Sequence, residues 1–286
     1  MLAHEFELGG VRMGRFQKVV VESVDLGTAD FRTQDAPRPR RDGRFFGRDH
    51  IDPPTWTLNL ATNGDDQAAG MRALHEVAQA WSFPGRTHPG QTTALRYEVA
   101  GEVHQVFGRP RKFAPILGRT FQYGVIRAIA EFVLADATAY LDQAERLSLT
   151  LLPGSPAGLV FPATAPFVFA SGSRSRQGMI LNHGTAPSPL KVTFRGPVVD
   201  PRIRSTTHGW EIGLRTTIAY DQEITVDTRD MTVLRGDGAS FAHTVTRASD
   251  LGVRINPGFD EITYDGHDQT GSSQAIVEWL TGVGPF

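Results

Sequence analysis

The second half of the chain is divided into short strand-like runs by turn residues, and this pattern constrains the fold more than any other feature. Alternating or β-branched runs recur between residues 178 and 282. The residues between them, such as "HG", "TRD", "GDG" and "NPG", favour tight turns. About eight short strands at this spacing predict a two-sheet sandwich or jelly roll. The predicted strands are 178–183, 189–196, 209–218, 222–228, 230–236, 251–256, 259–266 and 273–282.

The first half also favours β-structure. Strands are predicted at 18–25, 55–62 and 94–108, the last of these as two strands that meet near Gly101. The run 122–137 fits either a helix or a strand, and we predict a long strand. The chain as a whole is therefore predicted to be mostly β.

One segment of the first half, 65–82, has the period of an amphipathic helix. Its apolar residues, among them Leu74 and Trp81, recur at steps of three and four residues. Asp65 or Asp66 can cap the start of this helix. Gly70 weakens it by about 1 kcal/mol relative to alanine.

The stretch "LLPGSPAG" at 151–158 separates the two halves. Its prolines and glycines indicate a linker or an abrupt turn between compact units. We therefore predict a domain boundary near Pro153–Gly158, with residues 1–152 as one β domain and residues 153–286 as a second.

Charge and composition argue against several classes of protein. The 29 Lys and Arg residues are balanced by 31 Asp and Glu residues, which gives a net charge of -2, whereas a dedicated nucleic-acid binder carries a basic excess. The chain has no cysteine, which excludes a disulfide framework and a thiolate metal site. No apolar run approaches the ~18 residues of a membrane-spanning helix, and the first residues lack the pattern of a signal peptide. We expect a soluble protein without a membrane partner.

Positive charge is concentrated in the loop 36–50. The loop contains Arg38, Arg40, Arg41, Arg44 and Arg48. Such a cluster can grip nucleic acid, pair with carboxylates of another protein, or lie solvated without a partner. The balanced charge of the whole chain argues against the first of these.

Catalytic motifs are missing from the sequence. It has no nucleophile elbow, phosphate-binding loop, zinc-binding helix motif or dinucleotide fingerprint. We predict turns at "DGHD" (265–268) and "RGDG" (235–238), in preference to a metal or acid–base site in the first and an adhesion motif in the second. No catalytic residue, cofactor or metal ligand is predicted. A hydrolase would need paired carboxylates in a cleft, and no motif supplies them.

Two tryptophans of the second half are candidate glycan contacts. Trp210 and Trp279 lie in strand-like runs, and sandwich domains of this size often bind sugars through exposed aromatic rings. An aromatic residue in a strand is more often part of a core or an interface. A carbohydrate-binding module that uses Trp210 and Trp279 is therefore kept as the alternative function.

The order of these features resembles the distal tail protein (Dit) family of long-tailed bacteriophages with non-contractile tails, the siphovirus type. The resemblance extends over the whole chain, and the order of the motifs is more specific than any single motif. Two departures lie at turns, with Asp221-Gln222-Glu223 where relatives often have Gly-Glu, and Asp260 where Asn is common. The matching segments are Phe6, Leu8, Gly9 and Gly10, then Asp42-Gly43 and Gly47-Arg48-Asp49, then 182–196, 222–234, 255–264 and the last strand at 274–281.

The resemblance implies a fold and a structural role without catalysis. The first domain is expected to be a tail-tube-like β-barrel or sandwich with one helix, and the second a galectin-like β-sandwich. Such proteins form a homohexameric ring at the tail tip of the virion, assembled in the host cytoplasm. The implied partners are the tail tube protein, the tail-tip or tail-associated protein and the tape measure protein, while DNA passes through the ring without specific binding.

A ring gives the arginine loop an expected role. Head-to-tail contacts between identical subunits need a complementary element on each copy. We expect the loop 36–50 to act as an interface arm whose arginines pair with carboxylates of a neighbour or of the tube ring. Because arginines that line a channel would hold phosphates, we expect this loop to lie outside the lumen.

Overall fold

The structure is a computed structural model, and it describes residues 5–82, 90–151, 176–268 and 270–284. The chain forms two compact units, one of Met1–Asp142 with Val283–Phe286 and one of Gln143–Gly282. The predicted linker Pro153–Gly158 lies outside the described residues, so the division into domains 1–152 and 153–286 stays a prediction.

The first unit is built from an antiparallel sheet and one helix. The sheet has the strand order β2-β1-β9-β10-β11-β8-β3, and β12 begins in this unit and pairs with β10. Four further strands form two separate ribbons, β4 with β7 and β5 with β6. The strands are β1 Phe6–Leu8, β2 Val11–Met13, β3 Val19–Asp25, β4 Asp30–Arg32, β5 Ala36–Pro37, β6 Arg44–Phe45, β7 His50–Asp52, β8 Thr55–Thr62, β9 Thr93–Val99, β10 Glu102–Ile116, β11 Arg127–Leu134 and β12 Ala139–Thr150.

Alternation along the strands places the core of the first unit on one face of this sheet. On β8 the side chains of Trp56, Leu58 and Leu60 are buried, and Phe132 of β11 is buried beside them. The predicted strand 122–137 is shorter than expected, because a 3₁₀ turn at Arg119–Tyr123 precedes β11.

The helix α1, Gln67–Trp81, covers this core as the periodicity predicts. Asp66 is its N-cap and accepts a hydrogen bond from the backbone N–H of Ala69 at 2.6 Å. At the other end, the buried Trp81 donates its indole N–H to the carbonyl of Glu131 at 3.2 Å. The helix is thereby fixed to the sheet.

A close backbone contact explains why the helix has glycine at position 70. A Cβ on Gly70 would lie 2.3 Å from the carbonyl oxygen of Gly124. The backbone of the helix and the backbone before β11 therefore approach more closely than any side chain at position 70 allows.

The second unit is a sandwich of two antiparallel sheets. One sheet has the order β19-β18-β14-β22, and the other the order β13-β21-β15-β16, with β17 beside β15 and β20 beside β14. Buried aliphatic and aromatic side chains fill the space between them. Its strands are β13 Gln177–Asn182, β14 Ser188–Arg195, β15 Val198–Ser205, β16 Glu211–Gly213, β17 Thr217–Ile218, β18 Glu223–Asp227, β19 Thr232–Arg235, β20 Arg254–Ile255, β21 Gly258–His267 and β22 Gln274–Val283.

The predictions of a mostly β chain and of a two-sheet sandwich in the second half are confirmed. Several details were wrong. The predicted strand 209–218 is two short strands, β16 and β17. The strands β12 and β15 were not predicted. The turn predicted at 265–268 starts later, because Asp265, Gly266 and His267 are the last residues of β21.

Candidate interaction surface

The connection between β3 and β8, residues 26–54, forms an arm. Its two short ribbons pair β4 with β7 and β5 with β6. The turn at its tip is closed by a hydrogen bond from the N–H of Arg38 to the carbonyl of Gly43, at 3.1 Å. Arg40 and Gly43 take positive φ angles of 58° and 103° in this turn. The predicted loop 36–50 is therefore an ordered hairpin that forms the outer part of the arm.

The arm exposes its large apolar side chains. Phe31, Phe45, Phe46 and Ile51 are all exposed, and Phe46 keeps 86% of its surface accessible. A two-stranded ribbon has no second layer in which to bury them. Clustered exposed apolar side chains of this kind mark surfaces that contact another molecule. These residues were not identified from the sequence, although "RFFGR" shows two adjacent aromatics between arginines.

The five predicted arginines lie close together on the arm, but their contacts differ. The guanidinium of Arg38 lies over the ring of Phe45, 5.2 Å from its centre, and Arg44 approaches Asp35 at 3.9 Å. Arg40 and Arg41 lie at the tip, and Arg48 lies beyond β6. For these last three, the described part of the chain provides no ion pair, so their charges are available to a partner.

Aspartates moderate the charge of the arm. Over residues 26–54, six arginines face five aspartates, which leaves a net charge of +1. The tip, Arg38–Arg44, holds four of these arginines and only Asp42, a net charge of +3. The positive charge is thus confined to the tip and does not extend along the whole arm.

A cleft of about 290 Å³ lies elsewhere on the first unit, among β1, β2 and β9. The guanidinium of Arg96 lies at its edge, where it donates to Asp142 at 2.8 Å and approaches Glu7 at 3.3 Å. The hydrogen bond to Asp142 raises the pKa of Arg96. Arg12 also pairs with Glu7, at 3.2 Å.

Carboxylates outnumber cations in this cleft. Glu5 and Glu98 line it in addition to Glu7 and Asp142, and the described residues provide no ion pair to Glu5 or Glu98. Four carboxylates against two guanidinium groups leave a net charge of -2. Phe6, Met13 and Tyr97 also line the cleft, but their side chains are buried in the core of the first unit, and burial raises the pKa of Tyr97. The cleft was not identified from the sequence, because its residues come from separate strands.

The two predicted glycan contacts make packing contacts and hydrogen bonds within the second unit. Trp279 is 6% exposed and donates its indole N–H to the carbonyl of Leu181 at 3.1 Å. Trp210 is half-buried against the core of the second unit and donates to Asp260 at 2.7 Å. Both tryptophans take part in packing, and their role as glycan contacts stays a prediction.

Metal-ligand clusters and long apolar helices were sought among the described residues. No group of three or more His, Asp or Glu residues is arranged to hold a metal ion in residues 5–82, 90–151, 176–268 and 270–284. Within the same ranges, no helix has the length and apolar character needed to cross a bilayer.

Comparison with known proteins decides the fold. No family model matches the sequence, and no curated protein matches it. Among solved structures, the Dit protein of phage SPP1, described as a paradigm of the hub adsorption apparatus in phages that infect Gram-positive bacteria, is 9% identical with a TM-score of 0.59, and 98% of each chain is covered. The chain has the Dit fold. The resemblance inferred from the sequence is thereby confirmed at the level of fold.

Baseplate structures give the same result. A chain of the phage P2 baseplate in its activated conformation with Ca is 11% identical, with a TM-score of 0.58 over 97% of this chain and 98% of that one. The corresponding structure with Sr gives 11% identity and a TM-score of 0.56 over the same shares. The Dit fold therefore includes both compact units of this chain.

Proposed function

We propose that the chain is the distal tail hub protein of a long-tailed phage with a non-contractile tail. Six copies form a ring that joins the end of the tail tube to the tail-tip or baseplate proteins. The observation that carries this proposal is the Dit fold over 98% of the chain, because the matched protein is described as a hub of an adsorption apparatus.

The physical features of the first unit support self-association. A ring of identical subunits is built from heterologous contacts, in which two different surfaces of each copy meet. The arm provides one such surface, since it extends away from its own core and exposes apolar side chains together with unpaired arginines. Burying Phe46 and its neighbours against another protein would remove this apolar surface from water.

The remaining partners follow from the position of a hub. The tube protein, the tape measure protein and the tail-tip proteins are the expected neighbours of the ring, and DNA passes through it. Arginines at the lumen would bind phosphates and slow that passage. We therefore place the arm on the protein-facing side of the ring, in the tail tip of the virion. The role is structural, without catalysis.

The mass and the shape of the purified full-length chain test the proposal. Light scattering should give the mass of a hexamer, and negative-stain images should show rings, either for the protein alone or after addition of the tail tube protein of the same phage. Antibodies against the chain should label the tail tip of intact virions. A chain that stays monomeric with and without the tube protein, and that labels no tail tip, contradicts the proposal.

A further inference from the structure

The arm tip and the cleft carry complementary charge. The tip, Arg38–Arg44, has a net charge of +3, and the cleft has a net charge of -2. Arg40 and Arg41 at the tip are exposed and have no ion pair among the described residues. Glu5 and Glu98 in the cleft also have no ion pair within the described part of the chain. The arm tip therefore carries unpaired positive charge, and the cleft carries unpaired negative charge.

These two surfaces lie at opposite ends of one strand. Gln17, which lines the cleft, comes just before β3, and the arm begins directly after Asp25, where β3 ends. Seven residues of extended strand span about 23 Å. An arm that leaves from the far end of the strand is placed to meet the cleft of another copy, which is the arrangement that a head-to-tail contact requires.

The cleft already holds a guanidinium group. Arg96 is bound by Asp142 and by Glu7, which shows that carboxylates in this place take up the fork of an arginine. Val103, whose exposed side chain also lines the cleft, can contact the aliphatic stem of an arginine. The site therefore combines a cavity, an apolar contact and acceptors.

We propose that the arm tip of one copy docks into the cleft of a second copy, where Glu5 and Glu98 bind Arg40 and Arg41. The inference rests on the proposed ring, and it adds the receiving surface for the arm. The occupant is a second copy of this chain, because the same sequence carries both the positively charged tip and the negatively charged cleft.

Paired charge reversal tests this contact. The arm variant, Arg40→Glu with Arg41→Glu, and the cleft variant, Glu5→Arg with Glu98→Arg, should each weaken self-association by about tenfold or more, because like charges then face each other. Mixed in equal amounts, the two variants should assemble again, since each arm meets a cleft of opposite charge. The mixed rings should alternate the two variants, which cross-linking and mass spectrometry of differently tagged copies can establish.

Controls separate the contact from general effects of charge and folding. The pair Asp65→Arg with Glu76→Arg makes the same change of charge on exposed residues outside the cleft and should leave assembly unchanged. The milder pair Glu5→Gln with Glu98→Gln should weaken assembly without a change in melting temperature. The inference is overturned if the wild-type chain assembles but the cleft variants assemble equally well, or if mixing restores nothing. A wild-type chain that never assembles contradicts the proposed function itself.

Discussion

Trp210 donates its indole N–H to Asp260 at 2.7 Å, and this carboxylate is only 1% exposed. The second oxygen of Asp260 accepts from the hydroxyl of Ser205, and the ring of His208 lies 3.4 Å away. Asp260 belongs to β21, whereas the three other residues belong to the end of β15 and the turn that follows. A carboxylate serves both donors at once, and the place of Asp260 within β21 corrects the expectation that this residue lies at a turn.

Replacing Asp260 should destabilise the second unit. Asp260→Ala leaves the buried donors of Ser205 and Trp210 without an acceptor, which costs about 3 kcal/mol of unfolding free energy. Asp260→Asn retains one acceptor oxygen and should cost about half as much. Native-state hydrogen exchange at the amides of β15 and β21 measures this local free energy. Asp250→Ala is the control, because Asp250 is exposed and accepts a single backbone hydrogen bond from Gly252, and an equal loss in this control contradicts the argument.

Trp279 should act as a core residue. Trp279→Ala removes a large buried side chain and should cost about 4 kcal/mol. Trp279→Phe keeps most of the apolar volume, loses the hydrogen bond to Leu181 and should cost about 1 kcal/mol beyond the change in packing. Urea denaturation of both variants checks this order. A Trp279→Ala variant with wild-type stability would contradict the role of Trp279 in the core.

Gly70→Ala should destabilise the first unit, although alanine is the better helix former. The gain in helix propensity is about 1 kcal/mol, but the new Cβ would lie 2.3 Å from the carbonyl oxygen of Gly124. Moving the two backbones apart costs more than this gain, so we expect a net loss of about 2 kcal/mol. Gly118→Ala is the matched control, with nothing within 4 Å of the new Cβ. Thermal unfolding should rank the control at or above wild type, and a stabilised Gly70→Ala variant would show that the contact is not tight.

Phe46→Ser should weaken self-association while the subunit stays as stable as wild type. Phe46 is 86% exposed, so the isolated subunit loses almost no buried area. If Phe46 is an aromatic anchor of the interface, its loss should weaken self-association by about tenfold. Phe16→Ser is the control, since Phe16 is 82% exposed outside the arm. Sedimentation velocity over a range of concentrations measures the difference, and equal behaviour of the two variants would exclude Phe46 from the interface.

Asp237 should titrate far below an ordinary aspartate. The hydrogen bond from Arg235, assisted by the N–H of Ala239, lowers the pKa of Asp237 from 3.8 to about 2. Because the folded pKa is depressed, the stabilisation from this pair is present above pH 3.8 and is lost as the pH falls through about 2. Carboxyl-carbon NMR should show the pKa of Asp237 rising toward 3.8 in Arg235→Ala. In Arg204→Ala, which removes a different ion pair, it should stay low, and an ordinary pKa in the wild-type chain would contradict the pairing.

Local periodicity predicted those elements whose burial follows from a single strand or helix. The alternation of Trp56, Leu58 and Leu60 predicted the inward face of β8. The steps of three and four residues predicted α1, with Asp65 or Asp66 as its cap, and the structure has Asp66. In both cases the segment contacts one large apolar surface, so its own sequence pattern determines which side faces inward.

The strand β15 could not be predicted in this way, because Pro201 lies in its middle. Proline removes a ladder donor and argues against a strand. The structure accommodates it at an irregularity, where the pairing with β21 shifts register between Val199 and Arg202. Asp200 takes a positive φ of 51° at the same place. A register shift depends on the partner strand, which local sequence does not reveal.

The candidate surfaces were predicted only in part. The sequence showed the arginines of the arm as a cluster. It did not predict the two ribbons that carry them, which form by pairing of β4 with β7 and of β5 with β6. The exposure of Phe31 and Phe46 was not predicted, since aromatics in strand-like runs usually indicate a core. The cleft is formed by side chains from β1, β2 and β9, and only the register of these strands brings Glu5 near Glu98.

The aspartates between the arginines of the arm weaken its attraction for polyanions such as RNA. A ribbon with six unaccompanied arginines would attract every polyanion in a cell, and stray RNA would coat it soon after synthesis. Acidic side chains along the same ribbon repel a nucleic acid whose phosphates run along the whole arm. A protein partner can instead contact the arm tip alone with its carboxylates. Under the proposed ring assembly, newly made copies would therefore keep the arm tip accessible to one another.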